Sequence, residues 1–245
     1  MRRKEFMARV WARLRKSQKE EKFFEAGKGI LGAVSGGPDS VCLAHYLYSM
    51  SLRVPFPLEL VYINHGLRKE AAQEAAFVRS LGKNWGVPVS VIKINVKGAL
   101  KMRGLGLEEA CRKLRYQALL ERAEALGFPL VAVGHQMDDQ AETALLNLLR
   151  GVQLKALGAM PPRRSLSQNV ELIRPLLSLR RSEILEYLKV HELSFKMDGS
   201  NDDLKLTRNW IRHKVLPLLE ERNPKILEHL SGIARQVRAL KSLSA

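Results

Sequence analysis

The chain has 245 residues, 46% of them hydrophobic, which suits one sizeable α/β domain and is unlike a disordered or fibrous sequence. No stretch approaches the roughly 18–20 consecutive apolar residues of a membrane helix, and the basic N-terminus lacks the apolar core of a secretory signal. We therefore expect no membrane segment and a cytoplasmic location. The 41 Lys and Arg against 25 Asp and Glu give a formal charge of +16, which attracts polyanions and indicates a nucleic-acid partner.

The first 26 residues predict a basic amphipathic helix. Five apolar side chains share one helical stripe, and most of the arginines lie elsewhere on the helix. The stripe consists of Phe6, Met7, Val10, Trp11 and Leu14. We expect residues 1–26 to form a helix whose apolar stripe packs on the body of the protein.

Residues 27–219 alternate between apolar runs and helical patterns. The runs predict strands over 29–34, 58–63, 87–94, 129–133 and 170–177. Helices are predicted over 40–50, 71–85, 106–126, 138–150, 180–191 and 209–222. This order is typical of an α/β fold: a doubly wound, mostly parallel five-stranded sheet of order 3-2-1-4-5 with helices on both faces. The polar, proline-broken segment 160–169 predicts a loop, and residues 220–245 predict a small C-terminal helical appendage or linker.

The segment between the first strand and its helix predicts a phosphate site. It comprises Ser35, Gly36, Gly37, Pro38, Asp39 and Ser40. Glycines let backbone N–H groups turn toward a ligand, and the helix N-terminus behind them favours an anion. A carboxylate beside phosphates makes sense if Asp39 holds Mg²⁺. The alternative is an ordinary glycine-rich β–α turn capped by a Ser or Asp.

A second polar segment, 134–143, follows the fourth predicted strand. Strands 1 and 4 are neighbours in the predicted order, so this segment should face the phosphate loop at the switch point of the sheet. Asp139 could share a metal ion with Asp39, Glu142 lies one helical turn further on the same face, and His135 could polarise a phosphate or a base. The alternative is a helix N-terminus whose acids serve only its dipole.

Two further segments border the same predicted edge. Arg112 and Arg115 are three residues apart on one helical face, which suits the grip of a phosphate or carboxylate, although such a pair is commonly solvated surface. His65 ends the second strand and could equally be a structural histidine.

The sequence strings of these segments together resemble the tRNA(Ile)-lysidine synthases, a family of PP-loop ATP pyrophosphatases. The strings are SGGPDS (35–40), NHGLR (64–68), LEEACRKLRY (107–116), GHQMDDQAET (134–143), DGSN (198–201), TRNWIR (207–212) and VLP (215–217). The resemblance runs from about residue 29 to 219. It implies use of ATP and Mg²⁺, adenylation of the C2 oxygen of the wobble cytidine in a tRNA(Ile) with a CAU anticodon, and displacement of AMP by the ε-amine of free L-lysine.

The resemblance also implies roles for individual residues. Catalytic roles fall on Asp39, Arg112, His135, Asp139 and Glu142. The resemblance implies that residues 35–40 and His65 bind the nucleotide and that Asp39 and Asp139 bind the metal. RNA contact or ordering of the domain end falls on Arg68, Arg115, Arg208, Asn209 and Arg212. Many members of the family carry further C-terminal domains, so this chain resembles a short form; a homodimer stays open.

Two alternatives stay open. A tRNA thiolase of the same superfamily would need cysteines to carry sulfur or an iron–sulfur cluster, whereas Cys42 and Cys111 lie on separate predicted helices without a CxxC pair. A non-catalytic, nucleotide-dependent RNA-binding protein would have no need of paired carboxylates beside phosphates.

Overall fold

The computed structural model describes residues 2–67, 70–96, 98, 106–196 and 206–243. Its strands are β1 (Ile30–Ala33), β2 (Leu58–Asn64), β3 (Val89–Lys93), β4 (Leu130–Ala132), β5 (Arg163–Ser165) and β6 (Glu171–Ile173). Its α-helices are α1 (Arg2–Glu21), α2 (Pro38–Ser51), α3 (Ala71–Trp85), α4 (Leu107–Leu126), α5 (Met137–Leu149), α6 (Arg181–Val190), α7 (Thr207–Trp210), α8 (Leu216–Arg222) and α9 (Ile226–Leu243). A 3₁₀ helix spans Leu154–Gly158, and a π-helical turn, Ile211–Val215, joins α7 to α8.

The strands form one sheet in the order β3-β2-β1-β4-β6-β5. All neighbours are parallel except β5, which pairs antiparallel with β6. The predicted α/β fold and the order of the parallel strands are confirmed, but the sheet has six strands, not five. The additional strand, β5, lies in the segment predicted as a loop. Its sequence is Arg-Arg-Ser. Charged and polar residues are common in an edge strand because it pairs with a neighbouring strand on one side only.

Helices cover both faces of the sheet because its central strands bury alternate side chains on opposite sides. In β2, Leu60 and Tyr62 pack in a cluster with α3, whereas Val61 and Ile63 pack in a second cluster with α4. The N-terminal helix adds Val10 and Leu14, both at most 1% exposed, to a third cluster. No helix in the described parts of the chain has the length and apolarity to cross a bilayer.

The C-terminal helix α9 packs on the body of the domain. Leu227 joins a buried cluster with Met137 and Ala141 of α5 and with Ile211. Arg180, just before α6, forms an ion pair with Glu228 of α9. These contacts attach the C-terminal segment to the helix that follows β4, and so to the sheet edge that carries the predicted site.

Candidate active site

The phosphate-loop segment forms a tight turn that leads from β1 into α2. Gly36 has a φ of +89°, a conformation that strains residues with a Cβ, so glycine is needed there. The Ser40 hydroxyl donates to the Gly37 carbonyl oxygen over 2.8 Å and accepts from the backbone N–H of Ser35 over 3.1 Å. Pro38 occupies the first turn of α2, where no N–H donor is needed. The turn is thus fixed by its own hydrogen bonds before any ligand arrives.

The two polar turns that follow β1 and β4 meet. A Cβ on Gly134 would lie 3.0 Å from the backbone carbonyl of Asp39, so only glycine allows this close approach. Both turns border one cavity of about 330 Å³. Its polar lining includes Ser35, Asp39, Ser40, His65, Arg115, His135, Asp139, Arg181 and Lys196. An adjoining recess of about 360 Å³ shares Ser35, His65, Arg115 and Lys196 and adds Glu74.

Asp39 is the most perturbed carboxyl group of the cavity. Burial raises its pKa to about 6, and the nearby Asp139 charge adds to this, although the Arg181 guanidinium acts in the opposite direction. Arg181 donates from Nη1 to Oδ2 of Asp39 over 2.8 Å, while Oδ1 is buried without a hydrogen-bond partner. A buried carboxylate oxygen without a hydrogen-bond partner, on a residue that lines the cavity, is a candidate ligand for a cation.

This pKa predicts how stability depends on pH. The unfolded-state pKa is near 3.8 and the folded-state value is about 6, so Asp39 favours the folded state below pH 4 and loses that contribution as pH rises through 6. Asp39→Asn mimics the neutral form. We expect the variant to exceed the wild type by about 1–3 kcal/mol at pH 8 and to match it near pH 4, measured by urea unfolding at several pH values. A difference that does not change with pH would contradict the raised pKa.

The acids of the second turn are held by arginines from the C-terminal part of the domain. Arg212 donates from Nε to Oε1 of Glu142 over 2.6 Å, and Arg208 donates from Nε to Oε2 over 2.8 Å. Both arginines also lie 3.4 Å from Oδ1 of Asp139. Glu142 is 1% exposed, so its charge depends on these partners. Arg208 and Arg212, expected at an RNA-binding surface, therefore lie at the acid cluster.

His135 accepts rather than donates at Nδ1. Arg174, which cannot act as an acceptor, donates from Nε to this nitrogen over 3.1 Å. Burial lowers the pKa of His135 to about 3, and the charge of Arg174 contributes. The imidazole is therefore neutral with its proton on Nε2, and it lines the cavity as a hydrogen-bond donor.

We expect His135 to show no protonation between pH 5 and 9. A ¹H–¹⁵N NMR spectrum of labelled histidine should show the Nε2–H tautomer throughout this range. His135→Gln, which keeps an N–H donor, should retain more activity than His135→Phe, which we expect to lose about 100-fold in kcat. Equal losses in both variants, or a titration near pH 6.5, would contradict the donor assignment.

The remaining predicted residues differ in where they lie. Arg115 and His65 line the cavity, as does the phosphate turn. Arg112 is exposed and is not among the lining residues, and its catalytic role stays a prediction. Asn209 is 8% exposed, which does not suit direct RNA contact. Arg68 lies outside the described residues.

Sequence reasoning missed three cations of this site: Arg174, Arg181 and Lys196. Lys196 also donates its backbone N–H to the Gly36 carbonyl oxygen over 2.8 Å. A usable signal existed for Arg174, which directly follows β6, and for Arg181, which begins the next helix. Parallel strands end at one edge, so residues after the strand beside β4 should reach the same crevice.

Asp39 and Asp139 together suit a magnesium ion that also binds phosphate. Among the described residues, no three His, Cys, Asp or Glu side chains are grouped to hold a metal by themselves. Mg²⁺, however, usually takes one or two carboxylates and completes its shell with phosphate oxygens and water. Asp39, with its unpartnered Oδ1, and Asp139 beside it meet that requirement.

Comparison with known proteins identifies the family. A family model described as the PP-loop domain matches residues 8–219, most of the chain. The chain belongs to the PP-loop domain family. The matched range includes the Ser35–Ser40 turn.

Curated relatives point to one branch of this PP-loop family. The chain is 39% identical over 221 residues to a tRNA(Ile)-lysidine synthase from Dehalococcoides mccartyi, covering 88% of this chain and 47% of that protein. It is 38% identical over 216 residues to a tRNA(Ile)-lysidine synthase from Symbiobacterium thermophilum, covering 87% and 44%. The chain thus spans about half the length of the curated relatives it matches.

A solved structure shares the PP-loop fold. The U34-tRNA thiolase NcsA from Methanococcus maripaludis, with its [4Fe-4S] cluster, superposes with a TM-score of 0.81 at 18% identity. The match covers 96% of this chain and 80% of NcsA. At this identity the likeness supports the fold alone.

Proposed function

We propose that this PP-loop protein is a tRNA(Ile)-lysidine synthase. In the proposed reaction, ATP adenylates the C2 oxygen of the wobble cytidine of a tRNA(Ile) with a CAU anticodon and releases pyrophosphate. The ε-amine of free L-lysine then attacks C2 and AMP leaves. Because the substrate is a tRNA, we place the activity in the cytoplasm.

One observation carries the proposal: the phosphate turn and the double-aspartate turn border a single cavity. The backbone of Gly134 contacts that of Asp39, and both Asp39 and Asp139 line the space between the turns. A phosphate that accepts amide donors from the first turn would therefore lie within reach of the acids of the second. The adjoining recess leaves room for a second ligand beside the same phosphate.

The residues of the chain have separable roles in this reaction. The amides and hydroxyls of the phosphate turn hold the nucleotide, and Arg181 and Lys196 offset the negative charge that develops on the transferring phosphate. His135 donates from Nε2 to a phosphate or to the base. The proposed role of Arg112 stays a prediction, since its side chain is exposed.

Asp39 and Asp139 would hold Mg²⁺, which supplies Lewis-acid stabilisation of the phosphate oxygens when bound. For Asp39 this requires the ionised form; Arg181 pairs with Oδ2, so Oδ1 is the oxygen open to the cation. Glu142 is the candidate partner for an ammonium group of lysine. Arg208 and Arg212 now occupy its two oxygens and would have to be exchanged for the substrate.

The thiolase alternative finds no support in the cysteines. These 245 residues contain two, and a [4Fe-4S] cluster takes four cysteine thiolates. Cys42 is buried in the cluster that includes α1 and α2, and burial raises the pKa of its thiol. Cys111 packs against the cluster with α4. A buried thiol with a raised pKa is a poor sulfur carrier.

Isotopic labelling tests the proposal. The purified protein is incubated with ATP, Mg²⁺, an unmodified tRNA(Ile) transcript and labelled lysine, and the anticodon nucleosides are analysed by mass spectrometry. We expect lysine on the wobble cytidine of this transcript and none on a transcript with uridine at that position. Pyrophosphate release without lysine incorporation would restrict the activity to adenylation. If neither lysine incorporation nor pyrophosphate release is detected, the assignment is rejected.

A further inference from the structure

Two arginines lie against one aromatic ring at the rim of the cavity. The Arg115 guanidinium carbon is 5.4 Å from the centroid of the Tyr116 ring, and that of Arg164 is 4.9 Å from the same centroid. Arg115, on α4, lines the cavity, whereas Arg164, on the edge strand β5, is exposed and is not among its lining residues. We call these three residues the rim cluster. It extends from the cavity onto the protein surface.

The cations of the rim cluster are not neutralised by acids. Among the described residues, no carboxylate lies within 4 Å of Arg115 or Arg164. Arg163, the preceding residue on β5, differs because it forms an ion pair with Glu171. The edge strand therefore pairs one of its two arginines and leaves the other as net positive charge.

A third arginine, the buried Arg174, adds to the positive charge of the rim cluster. Arg174 is 4% exposed and donates to the Pro161 carbonyl oxygen over 2.6 Å and to His135 over 3.1 Å. Its pKa is lowered to about 10, first by burial and also by the charge of Arg164. Like charges held this close repel one another, and an anion bound among them would relieve the repulsion. The rim cluster is thus built to receive an anion.

The position of the cluster selects the anion. The phosphates of a nucleotide inside the cavity would lie at the turns, whereas Arg164 lies outside on the surface. A polyanion that enters the cavity with one residue and continues over the rim reaches both arginines. Single-stranded RNA has this form, and proteins commonly bind it by arginines and aromatic rings together.

We propose that Arg115 and Arg164, held against Tyr116, bind a backbone phosphate of the RNA substrate next to the nucleotide that enters the cavity. The inference rests on the proposed RNA substrate but not on the lysine chemistry. It adds Arg164 and Tyr116 to the RNA-binding residues and gives the unforeseen strand β5 a function.

The test measures RNA binding directly. Binding of a fluorescent tRNA(Ile) anticodon stem-loop is followed by anisotropy at several salt concentrations for the wild type, Arg164→Ala and Arg79→Ala. Arg79 is an exposed cation on α3, on the other face of the sheet, and serves as the matched control. For Arg164→Ala we expect a Kd for RNA about tenfold higher than that of the wild type. The slope of the logarithm of the association constant against the logarithm of the salt concentration should be less negative by about 1. ATP binding should not change.

Three results would overturn the inference. The first is no RNA binding by the wild type, and the second is an RNA affinity of Arg164→Ala equal to that of Arg79→Ala. The third is a loss of ATP affinity in Arg164→Ala as large as its loss of RNA affinity, which would assign Arg164 to the nucleotide. A stem-loop of unrelated sequence should be weakened by Arg164→Ala to the same degree, because a phosphate contact carries no sequence information. If the wild type binds RNA but incorporates no lysine, the proposed function fails while the Arg164 effect stands.

Discussion

Asp39→Asn is expected to reduce pyrophosphate release at least 1000-fold at pH 7.5 without loss of stability. The change removes the charge of the carboxylate whose Oδ1 is buried and unpartnered, and with it the proposed magnesium ligand. Stability should not fall, because the ionised carboxylate is itself costly at this pH: burial raises the pKa of Asp39 to about 6. Pyrophosphate release is measured in the presence of RNA and ATP, and folding by thermal melts of the same samples.

The matched control for this change is Asp138→Asn. Burial also raises the pKa of Asp138, and its Oδ2 accepts from the backbone N–H of Arg181 over 3.0 Å, but it does not line the cavity. We expect at most a tenfold loss of activity there. Near-normal pyrophosphate release by Asp39→Asn would show that Asp39 holds no essential cation, and equal losses in both variants would reduce its role to support of the turn.

Glu142→Gln is expected to affect stability and activity together. The buried carboxylate neutralises Arg208 and Arg212, so an amide of the same shape leaves two guanidinium groups with only the more distant Asp139 as a counter-charge. Loss of one partner of a buried pair costs about 3–5 kcal/mol, and the partial exposure of both arginines reduces this to about 2–3 kcal/mol here. Lysine incorporation should fall at least 100-fold, and pyrophosphate release should fall less.

A buried pair outside the site separates these two effects. Glu59 accepts from Arg122 over 2.8 and 2.9 Å and is 6% exposed, and neither residue lines the cavity. Glu59→Gln should therefore lower the free energy of unfolding by a similar amount and leave activity per folded molecule unchanged. If Glu142→Gln loses no more activity than Glu59→Gln, its role is structural and lysine is bound elsewhere.

Local sequence was sufficient for the parallel strands and for their order. Apolar runs predicted all five parallel strands, and the strand–helix alternation predicted a doubly wound order for them, since parallel strands need crossovers of one hand. The same order predicted that the segments after β1 and β4 would meet, and the contact between Gly134 and Asp39 bears this out. Val10 and Leu14 of the N-terminal stripe join a buried cluster, and the domain division at residues 26 and 219 stays a prediction.

Strand β5 was not predictable because its three residues are polar and follow two prolines. An edge strand this short acquires its hydrogen bonds from β6, which is itself three residues long. Its pairing therefore depends on where the rest of the sheet ends and not on any local periodicity.

The charges of the site were decided by tertiary structure. Sequence motifs predicted functional roles for Asp39, Asp139 and Glu142, but not their pairing with arginines. Arg181 reaches Asp39 from 142 residues away, and Arg212 reaches Glu142 from 70 residues away. Periodicity reports neighbours within a few residues along a helix or strand, whereas ion pairs between segments this far apart exist only after the sheet and its helices have assembled. The sequence alone therefore determined which groups could act, and the fold determined which charges they meet.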